Sequence, residues 1–169
     1  MTPISCATDV AKFLQDKFDS MGYRSTDKNL GDKPMHVFPG FLPKAMTDKE
    51  KAAMDPCIVI RPVKVNDLDE ESTVELQLLF CTYNRSMDNG FLELYYAMEC
   101  CRQWLCQEPV INRKYRINMP MESGIPEEQP FPEWLGYIKV SYTIGRPVIP
   151  IEKILEDEKR VRDYLNKED

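Results

Sequence analysis

The chain has 169 residues, 43% of them apolar and 30% charged, enough for one globular domain with a substantial core rather than a disordered segment. A net charge of −6 leaves no surplus of Lys and Arg, which argues against nucleic-acid binding by phosphate neutralisation and against docking on anionic membranes. No apolar run approaches the roughly 20 residues of a spanning helix. The start, MTPISCATDV, lacks the cationic and apolar regions of a signal peptide, so a cytoplasmic chain away from membranes is expected.

In chain order, the first predicted element is a helix from Thr2 to Met21. Thr2 suits the cap, Pro3 suits the first helical position, and Gly22 ends it. Its apolar stripe is Ile4, Ala7, Ala11, Leu14, Phe18 and Met21. Met35 to Leu42 is apolar but holds Pro39 and Gly40, which predicts an edge strand or a bulged hairpin. Thr47 and Glu50 fit a capping box for a short helix to Met54. Cys57 to Val65 reads as a strand, with Pro62 marking an edge or a bulge. Ser72 to Tyr83 reads as a second strand with Val74, Leu76, Leu78 and Phe80 on one face. From Leu79 onward its other face also turns apolar, through Cys81 and Tyr83, so that end is expected to be covered on both sides.

The acidic NDLDEES between these strands is either a solvated hairpin loop or an arm that orders against a partner. After a turn at Asn84 to Met87, a helix from Asp88 or Asn89 to Gln107 carries Phe91, Leu94, Met98, Cys101 and Leu105, widened by Tyr95 and Trp104. Pro109 stops it. Tyr115 to Met119 is a short strand. Pro126, Pro130 and Pro132 then make a rigid acidic loop that cannot be helix or central strand. It feeds a period-two strand with Gly136, Ile138, Val140, Tyr142 and Ile144 on one face. A charged helix over Ile151–Asn166 has acid–base pairs at i,i+4, each adding about 0.2–0.5 kcal/mol.

This order predicts an α/β chain of the α+β kind: an antiparallel or mixed sheet with helices packed on one face. One domain spans 1–150, and a charged amphipathic helix spans 151–169.

Sites of chemistry are sparse. The glycines are scattered, so no phosphate-binding loop is read, and no nucleophile elbow occurs. The six cysteines include no CxxC pair, and His36 has none beside it in sequence, so no zinc spacing is present and reduced, buried thiols are expected. Glu127, Glu128 and Glu133 cluster, but a water-facing proline loop offers no desolvation to make a catalytic acid of them. Arg61, between Ile60 and Pro62, suits a buried or interface ion pair, and Arg85 is either a surface turn charge or an anion anchor. No catalytic residue, cofactor or metal is assigned.

The run PCIVIRPVKVNDLDEESTVELQLLFCTYNRSMDNGFLELYYAMECCRQWL, followed by YRINMPMESGIPEEQPFPEWLGYIKVSYTI, resembles the tail terminator proteins of long-tailed phages and prophages, also called tail completion or tail-to-head joining proteins. The resemblance rests on P-x-I-x-[IV]-R-P before an acidic turn, a strand ending at Thr82-Tyr83 before a long helix, the PEEQPFPEW loop, and the strand after it. It covers about Pro56 to Pro150. It implies a non-enzymatic structural protein that assembles as a ring, typically a hexamer, on the tail tube.

Its implied partners are other copies of itself, the tail tube protein and a head-completion or neck protein, with DNA passing through the ring without specific binding. The implied locations are the bacterial cytoplasm during assembly and the head-proximal end of the virion tail. Candidate contact residues are Arg61, Asp67, Asp69, Glu70, Arg85, Glu127, Glu128, Gln129, Phe131 and Trp134. The alternatives are another neck or head-completion protein, a small cytosolic enzyme using Cys or Glu, or a peptide-binding module.

Overall fold

The computed structural model describes residues 2–26, 33–42, 54–68 and 71–145. Helix α1 (Pro3–Met21) starts as its sequence predicts. Thr2 Oγ1 accepts the Ser5 amide at 3.2 Å, Ser5 Oγ accepts the Thr2 amide at 3.0 Å, and Gly22 closes the helix at φ +66°. Strands follow at β1 (His36–Pro39), β2 (Cys57–Asp67) and β3 (Ser72–Tyr83). Helix α2 (Gly90–Gln107) comes next, then β4 (Val110–Ile111), β5 (Tyr115–Gly124) and β6 (Glu133–Ile144).

The six strands form one mixed sheet in the order β1-β2-β3-β6-β5-β4, with β1 parallel to β2 and every other pair antiparallel. Alternation decides which face is buried. Ile58 and Ile60, then Val74 to Phe80 at every second residue, then Ile138, Val140 and Tyr142 all point into one core beneath both helices. Each such side chain contributes about 1.5–3 kcal/mol when removed from water. Helix α1 lies over β1 and β2, and α2 lies over β6 and β3. Phe18 of α1 meets Trp104 of α2 edge-to-face at 4.9 Å, which joins the helices side by side. The α+β architecture with helices on one face is as the sequence predicts.

Several details differ. The buried face of α1 is Cys6, Ala7, Val10, Ala11, Leu14 and Phe18, while Ile4 and Met21 at its two ends are exposed. Small residues near its start let the helix approach the sheet closely, and that rotates Ile4 outward. Tyr95 does not widen the α2 stripe. It is 55% exposed, and Glu93 and Ala97 are buried on that helix instead.

The strand read at Tyr115–Met119 runs on to Gly124, because Pro120 falls in a register shift between Asn118 and Glu122 that absorbs its missing donor. The two-residue β4 was not foreseen. Leu79, Cys81 and Tyr83 are only partly buried, so the end of β3 is not closed on its second side by the described residues. Among the cysteines, Cys6, Cys57 and Cys101 are buried, Cys81 and Cys100 are partly covered, Cys106 is exposed, and all are free thiols. The short helix expected at Thr47–Met54 and the helix expected at 151–169 lie, in whole or nearly so, outside the described residues. No helix among the described residues is long and apolar enough to cross a membrane.

Candidate functional site

The sheet face away from the helices changes character along its length. Toward the β2–β3 hairpin it carries Thr73, Glu75, Gln77, Lys139 and Thr143, a polar surface. Toward the start of β6 it carries Val59, Leu79, Leu135 and Tyr137, an apolar one. There, with Phe41, Leu42 and Pro126 as walls, lies a groove of about 570 Å³. Open apolar ground of this kind on a folded chain marks contact with another molecule.

Two charged side chains line this groove, Arg61 and Glu133, both half-buried. The Arg61 guanidinium stacks on the Phe41 ring, 4.4 Å from its centroid, while its Nε is shielded from solvent and meets no acceptor among the described residues. The sequence expectation of an ion pair at Arg61 is therefore not met within the described part of the chain. A carboxylate brought from outside would meet the guanidinium charge there.

Beside the groove runs the loop 125–132. Gln129 holds it in shape: its Nε2 donates to the Pro126 carbonyl at 2.6 Å and the Leu135 carbonyl at 3.2 Å, and its Oε1 accepts the Leu135 amide at 2.6 Å. Trp134 pins the loop's other leg. Its Nε1 donates to the Asn84 carbonyl at 3.0 Å, and its ring meets Phe91 and Phe131 edge-on. Trp134 is thus partly buried and anchored against α2. Glu127 and Glu128 are exposed at the tip, without an ion pair among the described residues, and Phe131 is 48% exposed.

The remaining candidates separate. Asp67 ends β2 about 20 Å along the strand from Arg61 and accepts a hydrogen bond from Ser72 at 2.6 Å, which closes the hairpin. Asp69 and Glu70 lie outside the described residues. Arg85 sits on the exposed turn after β3, with its Nε donating to the Tyr83 hydroxyl at 2.9 Å. The register therefore sets Arg61 midway along the sheet, level with Gln77 and Lys139, with the segment 127–134 toward one end and Asp67 at the other.

Two polar clusters went unread in the sequence. Glu93 is 5% exposed, and its carboxylate accepts from the Tyr23 hydroxyl at 3.0 Å, the Thr26 amide at 3.2 Å and the Thr26 hydroxyl at 2.7 Å. Asn84 donates to the same Thr26 hydroxyl at 3.1 Å. With its oxygens so occupied, Glu93 ties α2 to the chain after α1. Its spacing from Ala97 had placed it on the buried face, a signal in the sequence.

The second cluster is Asp55, Cys57 and Cys81. Cys57 and Cys81 are directly opposed across β2 and β3, and the Cys57 thiol points at Asp55 Oδ1 at 3.9 Å. Burial raises the Asp55 carboxyl above its ordinary range despite the thiols beside it. The Cys81 thiol is pushed far up by the bond to Cys57, by burial and by Asp55, so it stays protonated and is a poor nucleophile. No group of three potential metal ligands is assembled among the described residues.

The chain matches no model of a known protein family, and no curated protein sequence matches it.

Proposed function

We propose that this protein is a structural, ring-forming tail terminator of a long-tailed phage or prophage, without enzymatic activity. The reading begins with the sequence resemblance over Pro56–Pro150. The observation that carries it further is the one-sided sheet: helices cover one face, and the other ends in an apolar groove flanked by a rigid acidic loop. A subunit that works by touching neighbours needs such ground, and a ring subunit needs a giving and a receiving surface on one protomer.

In this role the ring, expected to be a hexamer, caps the tail tube protein, stops its growth and receives the head-completion or neck protein. DNA passes through without specific binding, and a net charge of −6 suits a channel that repels phosphates rather than holding them. The protein acts in the bacterial cytoplasm during assembly and resides at the head-proximal end of the tail.

Light scattering of the purified protein should find a hexamer, or a monomer that forms rings on tail-tube ends. A protein that stays monomeric and never binds tube ends overturns the reading. Electron microscopy of particles lacking it separates the two neighbouring roles. Overlong or uncapped tails mark the terminator, whereas normal tails without heads mark a neck protein.

A further inference from the structure

The groove and the loop complement one another in chemistry, yet no ion pair joins them among the described residues. The groove offers apolar walls and the Arg61 guanidinium, which has no ion pair among the described residues, while the groove's own carboxylate, Glu133, lies farther along β6. The loop offers two exposed carboxylates, Glu127 and Glu128, with no ion pair among the described residues, and a half-exposed ring, Phe131. Gln129 and Trp134 fix the loop in its own turn, so its tip is held ready without a further ordering cost. Pro126, at the loop's first leg, is itself a wall of the groove, so donor and acceptor surfaces adjoin on every protomer.

We infer that the groove receives the Glu127–Phe131 tip of a second copy of the chain. In this contact a carboxylate of Glu127 or Glu128 reaches the Arg61 guanidinium from the groove side, and Phe131 packs beside Phe41 and Leu135. The carboxylate supplies a counter-charge that Arg61 lacks among the described residues, and the apolar walls around it make that charge-assisted contact stronger than a surface ion pair. The inference rests on the self-association in the function proposed above and not on its phage setting. It names the contact that makes the assembly.

A charge-swap cycle on the full chain tests it, read by sedimentation or light scattering across a concentration series. Arg61→Glu should weaken self-association at least tenfold, as should Glu127→Arg with Glu128→Arg. The triple variant should return to within about threefold of the wild type, since opposite charges again face each other. If Arg61→Glu proves unfolded by circular dichroism, Arg61→Met keeps a chain over Phe41 without the charge and should show the same loss.

Benzoyl-phenylalanine in place of Phe41 then identifies the occupant. Cross-links between isotopically distinct copies should fall in residues 125–134. Cross-links to residues 146–169, or to another protein alone, overturn the inference. So does a wild type that is monomeric throughout, or a triple variant that stays dissociated. Tube-end capping keeps the two proposals apart. Capping that is unimpaired by Arg61→Glu removes this contact alone, while self-association through the contact without capping removes the terminator role alone.

Discussion

A carboxyl such as Asp55 shows how one residue links burial to solution behaviour. Its side chain is nearly enclosed beside Cys57 and Cys81, and burial raises its affinity for a proton above that of the unfolded chain. The folded state therefore gains from this group below the ordinary value of 3.8 and loses that gain as pH rises through the raised value. Asp55→Asn keeps an oxygen for the thiols and cannot ionise. Thermal melts of wild type and variant should nearly coincide at acid pH. The variant should become the more stable of the two as pH climbs above 3.8, with the gap levelling once Asp55 is ionised. A gap of constant size across that range would show that Asp55 does not titrate in the fold. Arg61 is the counterpart of Asp55: a charge without an ion pair among the described residues rather than one that is crowded. Its position among apolar residues was legible in the sequence, whereas its lack of an acceptor depends on strands distant in the chain.

Among the elements, α2 and the start of β6 depend on each other through one close approach. A Cβ on Gly90 would sit 2.6 Å from Trp134 Nε1 and 3.2 Å from the Asn84 side chain, so only glycine lets the helix begin there. Gly90→Ala must push the indole from its bond to the Asn84 carbonyl. Loss of that packing and bond should cost about 2–3 kcal/mol. Trp134→Phe, which keeps most of the packing and loses the bond, should cost about 1 kcal/mol. Urea unfolding of the two variants checks the order. An Ala variant as stable as the wild type would mean that the indole is not held against α2.

Elements of this size were mostly legible. The 3.6-residue stripe, the proline stops and the period-two strands placed α1, α2, β2, β3 and β6 close to where they stand. Three things were hidden for physical reasons. Ile4 and Tyr95 are apolar residues whose exposure depends on the rotation of a helix against a sheet. The strand expected at Tyr115–Met119 continues past Pro120 because the bulge that accommodates the proline depends on the neighbouring strand. Glu93 was missed because its partners, Tyr23 and Thr26, come from a distant loop.

For the molecule as a whole, the one-sided sheet sets which thiols a reagent can find. Cys6 and Cys101 lie between helices and sheet, and Cys57 lies within the sheet beside Asp55. Burial, helped by the nearby charge of Asp9, pushes Cys6 up to about 12, and burial together with Cys100 raises Cys101 well above its usual range. Reaction at these thiols needs both exposure and loss of a proton, and each requires the layers to part. Cys106 is exposed near the end of α2, so no layer need part for a reagent to reach it. At neutral pH a maleimide should therefore label Cys106 promptly in the native protein. Cys6 and Cys101 should react only at the rate of global unfolding, together and faster as denaturant is added, whereas Cys57, buried on the face the helices leave open, needs only a local opening there. Labelling of Cys57 ahead of the helix-covered pair would show that the open end of the sheet breathes by itself. Labelling of Cys6 or Cys101 as fast as Cys106 would show that the helices leave the sheet without unfolding it, and the single shared core would not be the unit that holds the chain together.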